Sequence, residues 1–238
     1  MHLLHLTLPT PEENLALDEA LLLAAEDGVG GEVLRLWEHP HYTVILGAGG
    51  RLADDVDEAA CESDGVPILR RASGGGTVLL GPGCLLFTLV LAYQRDPALR
   101  DIHASYRFIL ERLAKALDRL LPGTAPAGIS DLAVEQMKFS GNAQQRKRDF
   151  LLHHGTILYD FDLSRVGRYL RQPARQPEYR RNRPHADFVR NLATDRAAIE
   201  HAVAETWDAH APLPTWPAER VAQLVAEKYS LQEWVRRR

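Results

Sequence analysis

The chain has 238 residues and a mass of 26.6 kDa, which suits one large domain, or one domain with a small appendage, and is long enough to bury a sizeable core. Hydrophobic residues make up 45% of it and charged residues 25%, the balance of an ordinary globular protein rather than of a fibre, a disordered chain or a membrane bundle. The formal net charge of -4 gives no global case for a nucleic-acid partner, so partners have to be argued from sites.

Met1-His2-Leu3-Leu4 lacks the basic stretch and long apolar run of a secretion signal. No later apolar run approaches a membrane span, so the expected location is cytoplasmic, without a membrane partner. Leu3 to Leu8 alternates enough for a first strand. Thr10-Pro11-Glu12-Glu13 starts a helix, with a capping threonine, a proline at the first position and acids in the first turn. That helix is predicted to run to about Glu26, where Asp27-Gly28 closes it. Val33 to Trp37 and Thr43 to Leu46 read as strands joined by Glu38-His39-Pro40-His41, whose histidines read as polar surface rather than metal ligands. Gly47-Ala48-Gly49-Gly50-Arg51 is a glycine-rich turn, Asp54 to Ser63 a helix, and Val66 to Leu69 a short apolar strand.

Arg70-Arg71-Ala72-Ser73-Gly74-Gly75-Gly76-Thr77-Val78 is the most distinctive stretch. Three consecutive residues without a Cβ let backbone N–H groups approach a ligand and take φ values barred to other residues, a cradle suited to phosphate or carboxylate. The same pattern also describes a plain glycine hairpin beside two solvated arginines. Its spacing is neither that of the dinucleotide fingerprint nor that of a Walker loop. Thr77 to Leu80 and Cys84 to Ala92 resume strand-like runs, so the two glycine turns lie at the ends of neighbouring strands and either converge on one pocket or are unrelated hairpins. Cys61 and Cys84 lack Cys-x-x-Cys spacing, which indicates neither a zinc site nor a disulfide framework.

Ile102 to Leu121 is an amphipathic scaffold helix, and Pro122 to Ile129 a loop. Asp131 to Val134 and Met137 to Ser140 read as a hairpin with Gly141-Asn142-Ala143 at its end. Lys138 beside these small residues has the composition of an anion site, although a lone strand lysine is also common surface. Gln144 to Arg148 is polar and basic, and Leu151 to Leu158 a buried strand. Alternation along that strand sends His153 and His154 to opposite faces, so they do not chelate one metal together, and an interior histidine is more often hydrogen-bonded core than catalyst. From Arg165 to Arg190 the chain is rich in arginine and proline and poor in apolar residues, the pattern of a mobile cationic segment that closes over a polyanion or is merely a solvated tether. Asp195 to His210 is a helix, Pro212 to Pro217 a linker, and Ala218 to Arg238 a last helical element anchored by Leu231 and Trp234.

Asn14-Leu15-Ala16-Leu17-Asp18-Glu19, Arg70-Arg71-x-Ser73-Gly74-Gly75-Gly76-Thr77-Val78, Asp131-Leu132, Lys138-x-Ser140-Gly141-x-Ala143 and His153-His154-Gly155-Thr156-Ile157-Leu158 together resemble the lipoate-protein ligase family, in order from about residue 10 to 190. The resemblance implies an α/β (α+β) fold with a mixed, largely antiparallel sheet flanked by helices, related to biotin protein ligases. It implies condensation of lipoate, or a related medium-chain acid, with ATP to an acyl-adenylate, followed by transfer to a lysine of a lipoyl carrier domain. Arg71, Ser73, Gly74, Gly75, Gly76, Thr77 and Val78 would then line the acyl pocket, together with Ser140, Gly141, Ala143, His154, Gly155 and Thr156. Lys138 would be the catalytic residue touching carboxylate and phosphate. Asp131 would stand by the magnesium ion (Mg2+) and the phosphates, and Arg183 and Arg190 would meet the nucleotide from an adenylate-covering loop. Residues 1–210 would form the catalytic domain, with 211–238 a linker and short helical extension packed on it.

The family pattern is departed from in three places. Leu80-Gly81-Pro82-Gly83-Cys84 replaces the His-Asp and Asn often found after the glycine turn, Ser130-Asp131 stands where many members have Asn-Asp, and the chain ends soon after residue 230, before a separate accessory domain. A second polypeptide or a compact single-domain enzyme would fit that length. Two rival readings stay open. Octanoyl and lipoyl transferases of the same superfamily use a cysteine acyl-enzyme without ATP, for which Cys84 is the residue to watch, although a cysteine within Cys-Leu-Leu-Phe is more often a small buried hydrophobe. The other is a non-catalytic acyl- or adenylate-binding module. No Gly-Arg-Gly-Arg turn supports a biotin ligase.

Overall fold

A computed structural model describes all residues from Met1 to Arg238. The strands are β1 (His2–His5), β2 (Val33–Trp37), β3 (Thr43–Leu46), β4 (Ile68–Arg70), β5 (Val78–Leu80), β6 (Cys84–Ala92), β7 (Ala125–Ala127), β8 (Asp131–Val134), β9 (Met137–Arg146), β10 (Phe150–Leu158) and β11 (Ala211–Pro212). The helices are α1 (Pro11–Glu26), α2 (Leu52–Asp55), α3 (Glu58–Asp64), α4 (Ile102–Leu117), α5 (Val166–Tyr169), α6 (His185–Phe188), α7 (Arg196–Thr206), α8 (Ala218–Leu224) and α9 (Gln232–Val235). An eight-stranded sheet runs β11-β1-β2-β6-β10-β9-β8-β7, antiparallel except where β1 meets β11 and β2, and a smaller sheet runs β4-β3-β5. This is the mixed, largely antiparallel architecture that the family resemblance implies. No helix is long and apolar enough to cross a membrane.

The large sheet separates two cores. One face carries α1, the small sheet and the C-terminal helices around Leu17, Leu22, Ile45 and Leu86. The other carries α4 and α7 around Leu34, Phe87, Leu113 and Phe139. Helix α1 begins as its sequence dictates: Thr10 Oγ1 accepts from the Glu13 N–H, and the Glu13 carboxylate accepts from the Thr10 N–H, a reciprocal cap for two otherwise unpaired donors. Because α1 is covered on most sides, Asn14, Asp18 and Glu19 are buried along with its leucines, and each has found partners.

The elements depart from expectation where tertiary contacts override local pattern. The helix read from Asp54 to Ser63 is two, α2 and α3, broken where Val56 bridges to Leu170. Gln144 to Arg146 continue β9, because β10 pairs with them across to Leu151, Leu152 and His153. The Arg165–Arg190 segment is not a loose tether: short helices divide it, and Phe188 lies beneath the guanidinium groups of Arg180 and Arg183, 4.7 and 5.3 Å from its ring centroid. Arginine stems and planes supply packing that a count of aliphatic residues misses.

Candidate active site

The site is assembled at the centre of the large sheet. A β-bulge between β8 and β9 pairs Ala133 with Lys138 but Leu132 with Ser140, so Phe139 is the extra residue. That slip changes the alternation of β9, placing Lys138, Gly141 and Ala143 on one cavity wall while Phe139 points into the opposite core. Lys138 Nζ lies 2.7 Å from Asp131 Oδ1, and Tyr179 Oη donates to Asp131 Oδ2 at 2.8 Å. Burial and the neighbouring carboxylate push the Tyr179 phenol far above its ordinary value, so it stays a donor. A Cβ on Gly141 would come 2.7 Å from Lys138 Nζ, which is why a glycine makes room for the ammonium.

Two cavities meet at Lys138. The smaller, about 120 Å³, is apolar on one side, where Leu15, Trp37, Ile45, Leu80 and Leu86 line it. The larger, about 570 Å³, is lined by Arg171, Arg175 and Arg180 as well as Asp55 and Asp131. Gly76, Thr77, Val78, Lys138, Gly141 and Thr156 border both. Arg180 is buried and its Nη2 makes no hydrogen bond, so a cationic donor is left uncommitted beside the larger cavity.

The glycine turn is built from behind by the paired arginines, which are buried rather than solvated. Arg71 donates from Nε to Ser73 Oγ (2.9 Å) and from Nη2 to the carbonyls of Gly74 (2.6 Å) and Gly76 (2.8 Å). Burial lowers its pKa to about 10, still a cation at neutral pH. Arg70 binds the carbonyls of Gly47 (2.9 Å), Gly50 (2.7 Å) and Val235 (2.7 Å), tying the second glycine turn and the C-terminal helices to the first. The two turns touch: a Cβ on Gly47 would fall 2.0 Å from the Gly75 carbonyl oxygen. With the carbonyls turned back onto arginine, the N–H groups of Gly75 and Gly76 make no hydrogen bond within the chain.

Strand β10 divides its histidines as alternation requires. His153 is fully buried among Phe87, Tyr106 and Gln144, and burial lowers its pKa to about 3. His154 borders the smaller cavity, its Nε2 2.6 Å from Ser73 Oγ and its Nδ1 3.0 Å from Asp18 Oδ2. Burial alone would raise the Asp18 pKa, but Arg35, at 2.7 Å, and His154 outweigh it and hold the carboxyl below its usual range. Arg35 and Asp18 are the polar residues that sequence reasoning left without a role. The signal was there, since Asn14 and Asp18 recur at i, i+4 among Leu15, Ala16, Leu17, Leu21 and Leu22 of the same helix.

Of the positions singled out from sequence, Arg71, Gly76, Thr77, Val78, Lys138, Gly141, Ala143, His154, Gly155 and Thr156 border the smaller cavity and Asp131 the larger. Ser73, Gly74 and Gly75 form the turn just behind that wall. Ser140 is turned from the cavities and bonds Asn142 Nδ2 at 3.1 Å. Arg183 and Arg190 border neither cavity: Arg183 spends its donors on the carbonyls of Gln136, Tyr179 and Asp187, and Arg190 pairs with Glu135 at 3.1 Å. Both thiols are buried away from the cavities. Burial raises the Cys61 pKa to about 11 and pushes Cys84 higher still, so neither is a ready thiolate.

The family model of the lipoyl protein ligase A/B catalytic domain matches residues 10–205. A probable lipoate-protein ligase A of Mycoplasma pneumoniae is 31% identical over 160 residues, 67% of this chain and 46% of that one, so the match spans about half of that relative. An octanoyltransferase LipM of Carboxydothermus hydrogenoformans is 29% identical over 255 residues, 94% of this chain and 93% of that one. Among solved structures, the bi-partite lipoate protein ligase of Thermoplasma acidophilum, studied with its E2 lipoyl domain, superposes with a TM-score of 0.84 at 25% identity, covering 99% of this chain and 95% of that one.

Proposed function

The chain belongs to the lipoyl protein ligase A/B catalytic-domain family, and we propose that it is an ATP-dependent lipoate-protein ligase, activating lipoate or a related medium-chain acid and passing it to a lysine of a lipoyl domain. One observation carries this reading: Lys138 stands where a small, partly apolar cavity opens into a larger one lined by arginines. An acyl chain in the first and a nucleotide in the second would bring a carboxylate and an α-phosphate together over its ammonium. Two anions approaching one another are held in place chiefly by positioned cations and backbone donors, and Lys138, Arg180 and the Gly76 N–H group, all bordering the cavities, are of that kind. In that step a carboxylate oxygen bonds to the α-phosphorus and pyrophosphate leaves.

Nucleotide chemistry of this class uses magnesium, which accepts one or two carboxylates and fills its shell with phosphate oxygens and water. Asp131 fits such a role, being the carboxylate beside Lys138, and the ion would add positive charge at the phosphates. In this reading residues 1–210 carry the chemistry and 211–238 brace the glycine turns through Val235 and Arg70. A separate accessory polypeptide would belong to the same reading, as the bi-partite relative suggests.

The transferase reading draws on the octanoyltransferase relatives, which match this chain over nearly its full length. It requires a thiolate at the acyl pocket, and the positions of Cys61 and Cys84 weigh against it. The test is incubation with lipoate, ATP and magnesium. Pyrophosphate and lipoyl-adenylate are expected, with Lys138→Ala reducing their formation at least 100-fold, on the order of what one positioned charge contributes. ATP-independent transfer from an octanoyl carrier that is lost in Cys84→Ser would replace this assignment.

A further inference from the structure

However the acyl group is activated, a lysine that receives it has to reach the junction of the two cavities, and at neutral pH its amine arrives as an ammonium. Most of the charged groups waiting there are cations: Lys138, Arg171, Arg175 and Arg180 border the larger cavity. Three acids border it too, and they differ in what they are already bound to. Asp131 is paired with Lys138 at 2.7 Å and accepts from Tyr179. Glu178 is exposed on the arginine-rich segment. Asp55, the last residue of α2, has only Oδ2 engaged: an ionised carboxylate can only accept, and the Thr77 hydroxyl donates to it at 2.8 Å. Neither neighbouring arginine neutralises it. Arg171 gives it a backbone contact, from its N–H to the Asp55 carbonyl at 3.0 Å, and Arg70 spends its donors on the carbonyls of Gly47, Gly50 and Val235.

The place of this carboxylate is set by both glycine turns. Thr77, which follows the first, borders both cavities, so its hydroxyl holds Asp55 Oδ2 beside the junction where the acyl carbonyl would lie. Gly50, in the second, leaves just enough room behind it, since a Cβ there would come 2.9 Å from the same oxygen. Asp55 and Thr77 are both partly exposed, so the carboxylate can be reached through the larger cavity. We propose, resting on the lipoyl-domain lysine named above as acceptor, that Asp55 Oδ1 receives the ammonium of that lysine. An ion pair on a cavity wall is less screened than one in open water, and an ammonium donating to a carboxylate makes one of the stronger hydrogen bonds. With Asp131 held by Lys138, Asp55 is the uncommitted anion next to the junction, and it draws the incoming nitrogen past the arginines toward the acyl carbon. The first glycine turn then serves the acyl group and the second its acceptor.

The experiment is a double-mutant cycle read by binding calorimetry. An E2 lipoyl domain, and the same domain with glutamine in place of its acceptor lysine, are titrated into the native protein and into Asp55→Asn, without ATP or an acyl donor so that no transfer occurs. The amide in Asp55→Asn keeps an oxygen for the Thr77 hydroxyl and removes the charge. Loss of the lysine should weaken binding to the native protein about fivefold or more and binding to Asp55→Asn by about twofold at most, the coupling expected of groups in direct contact. A residue that only supports the fold lowers affinity for both domains alike, so an equal dependence on the lysine in the two proteins would overturn the proposal. Absence of coupling together with loss of magnesium-dependent adenylate formation in Asp55→Asn would overturn it too, and make Asp55 a metal ligand instead. Should Asp55→Asn fail to fold, Asp55→Ser carries the same cycle. Coupling in a protein that makes no adenylate from ATP would end the ligase reading and leave the acceptor site standing.

Discussion

His153 and His154 are adjacent in sequence and opposite in chemistry. Strand alternation puts His154 at the cavity and seals His153 in the core, where burial lowers its pKa to about 3 from an ordinary 6.5. The unfolded chain therefore takes up a proton below pH 6.5 that the folded chain refuses. The stability from this residue is complete above about pH 6.5 and is lost as pH falls toward 3, at up to about 1.4 kcal/mol per pH unit. His153→Phe is expected to flatten the denaturation midpoint between pH 6.5 and 5, a window above most carboxylate titrations; an unaltered slope there would show that His153 is not held neutral by the fold. The separation of the two histidines was legible from period-two alternation. The partners of His154 were not, because Asp18 and Ser73 lie 136 and 81 residues away in the chain.

Elements were read best where a local rule had no competitor. The start of α1 follows from Thr10, Pro11 and Glu13 alone, since the cap is made within four residues. The bulge opposite Leu132 and Ala133 left no such mark, because one extra residue in a ladder is settled by the partner strand. Gly47 shows the same limit: as a sequence feature it is one glycine in a turn, yet it faces the Gly75 carbonyl of the other turn, where a Cβ has no room. Gly47→Ala is predicted to displace Gly75 and raise the KM for the acyl substrate at least tenfold while lowering the melting temperature by only a few degrees. A KM within twofold of the native value would show that the two glycine turns are not mechanically joined.

At the scale of the whole molecule, the net charge of -4 hides a site with the opposite sign, because acidic residues elsewhere outweigh the arginines and lysine gathered around the larger cavity. The mixed sheet and the family were recoverable from five short motifs in register, whereas the joining of two cavities at one ammonium depends on β5 of the small sheet being brought against β9 and β10 of the large one. That junction is the feature on which nucleotide-driven activation rests. The most direct measurement is the mass of an E2 lipoyl domain incubated with the protein and lipoate, with and without ATP and magnesium, for the native chain and for Cys84→Ser. If an accessory polypeptide is needed, it is included in every arm. A lipoyl adduct that appears only with ATP and persists in Cys84→Ser is the predicted result. No ATP-dependent adduct, together with octanoyl transfer from a carrier that needs Cys84, would contradict it.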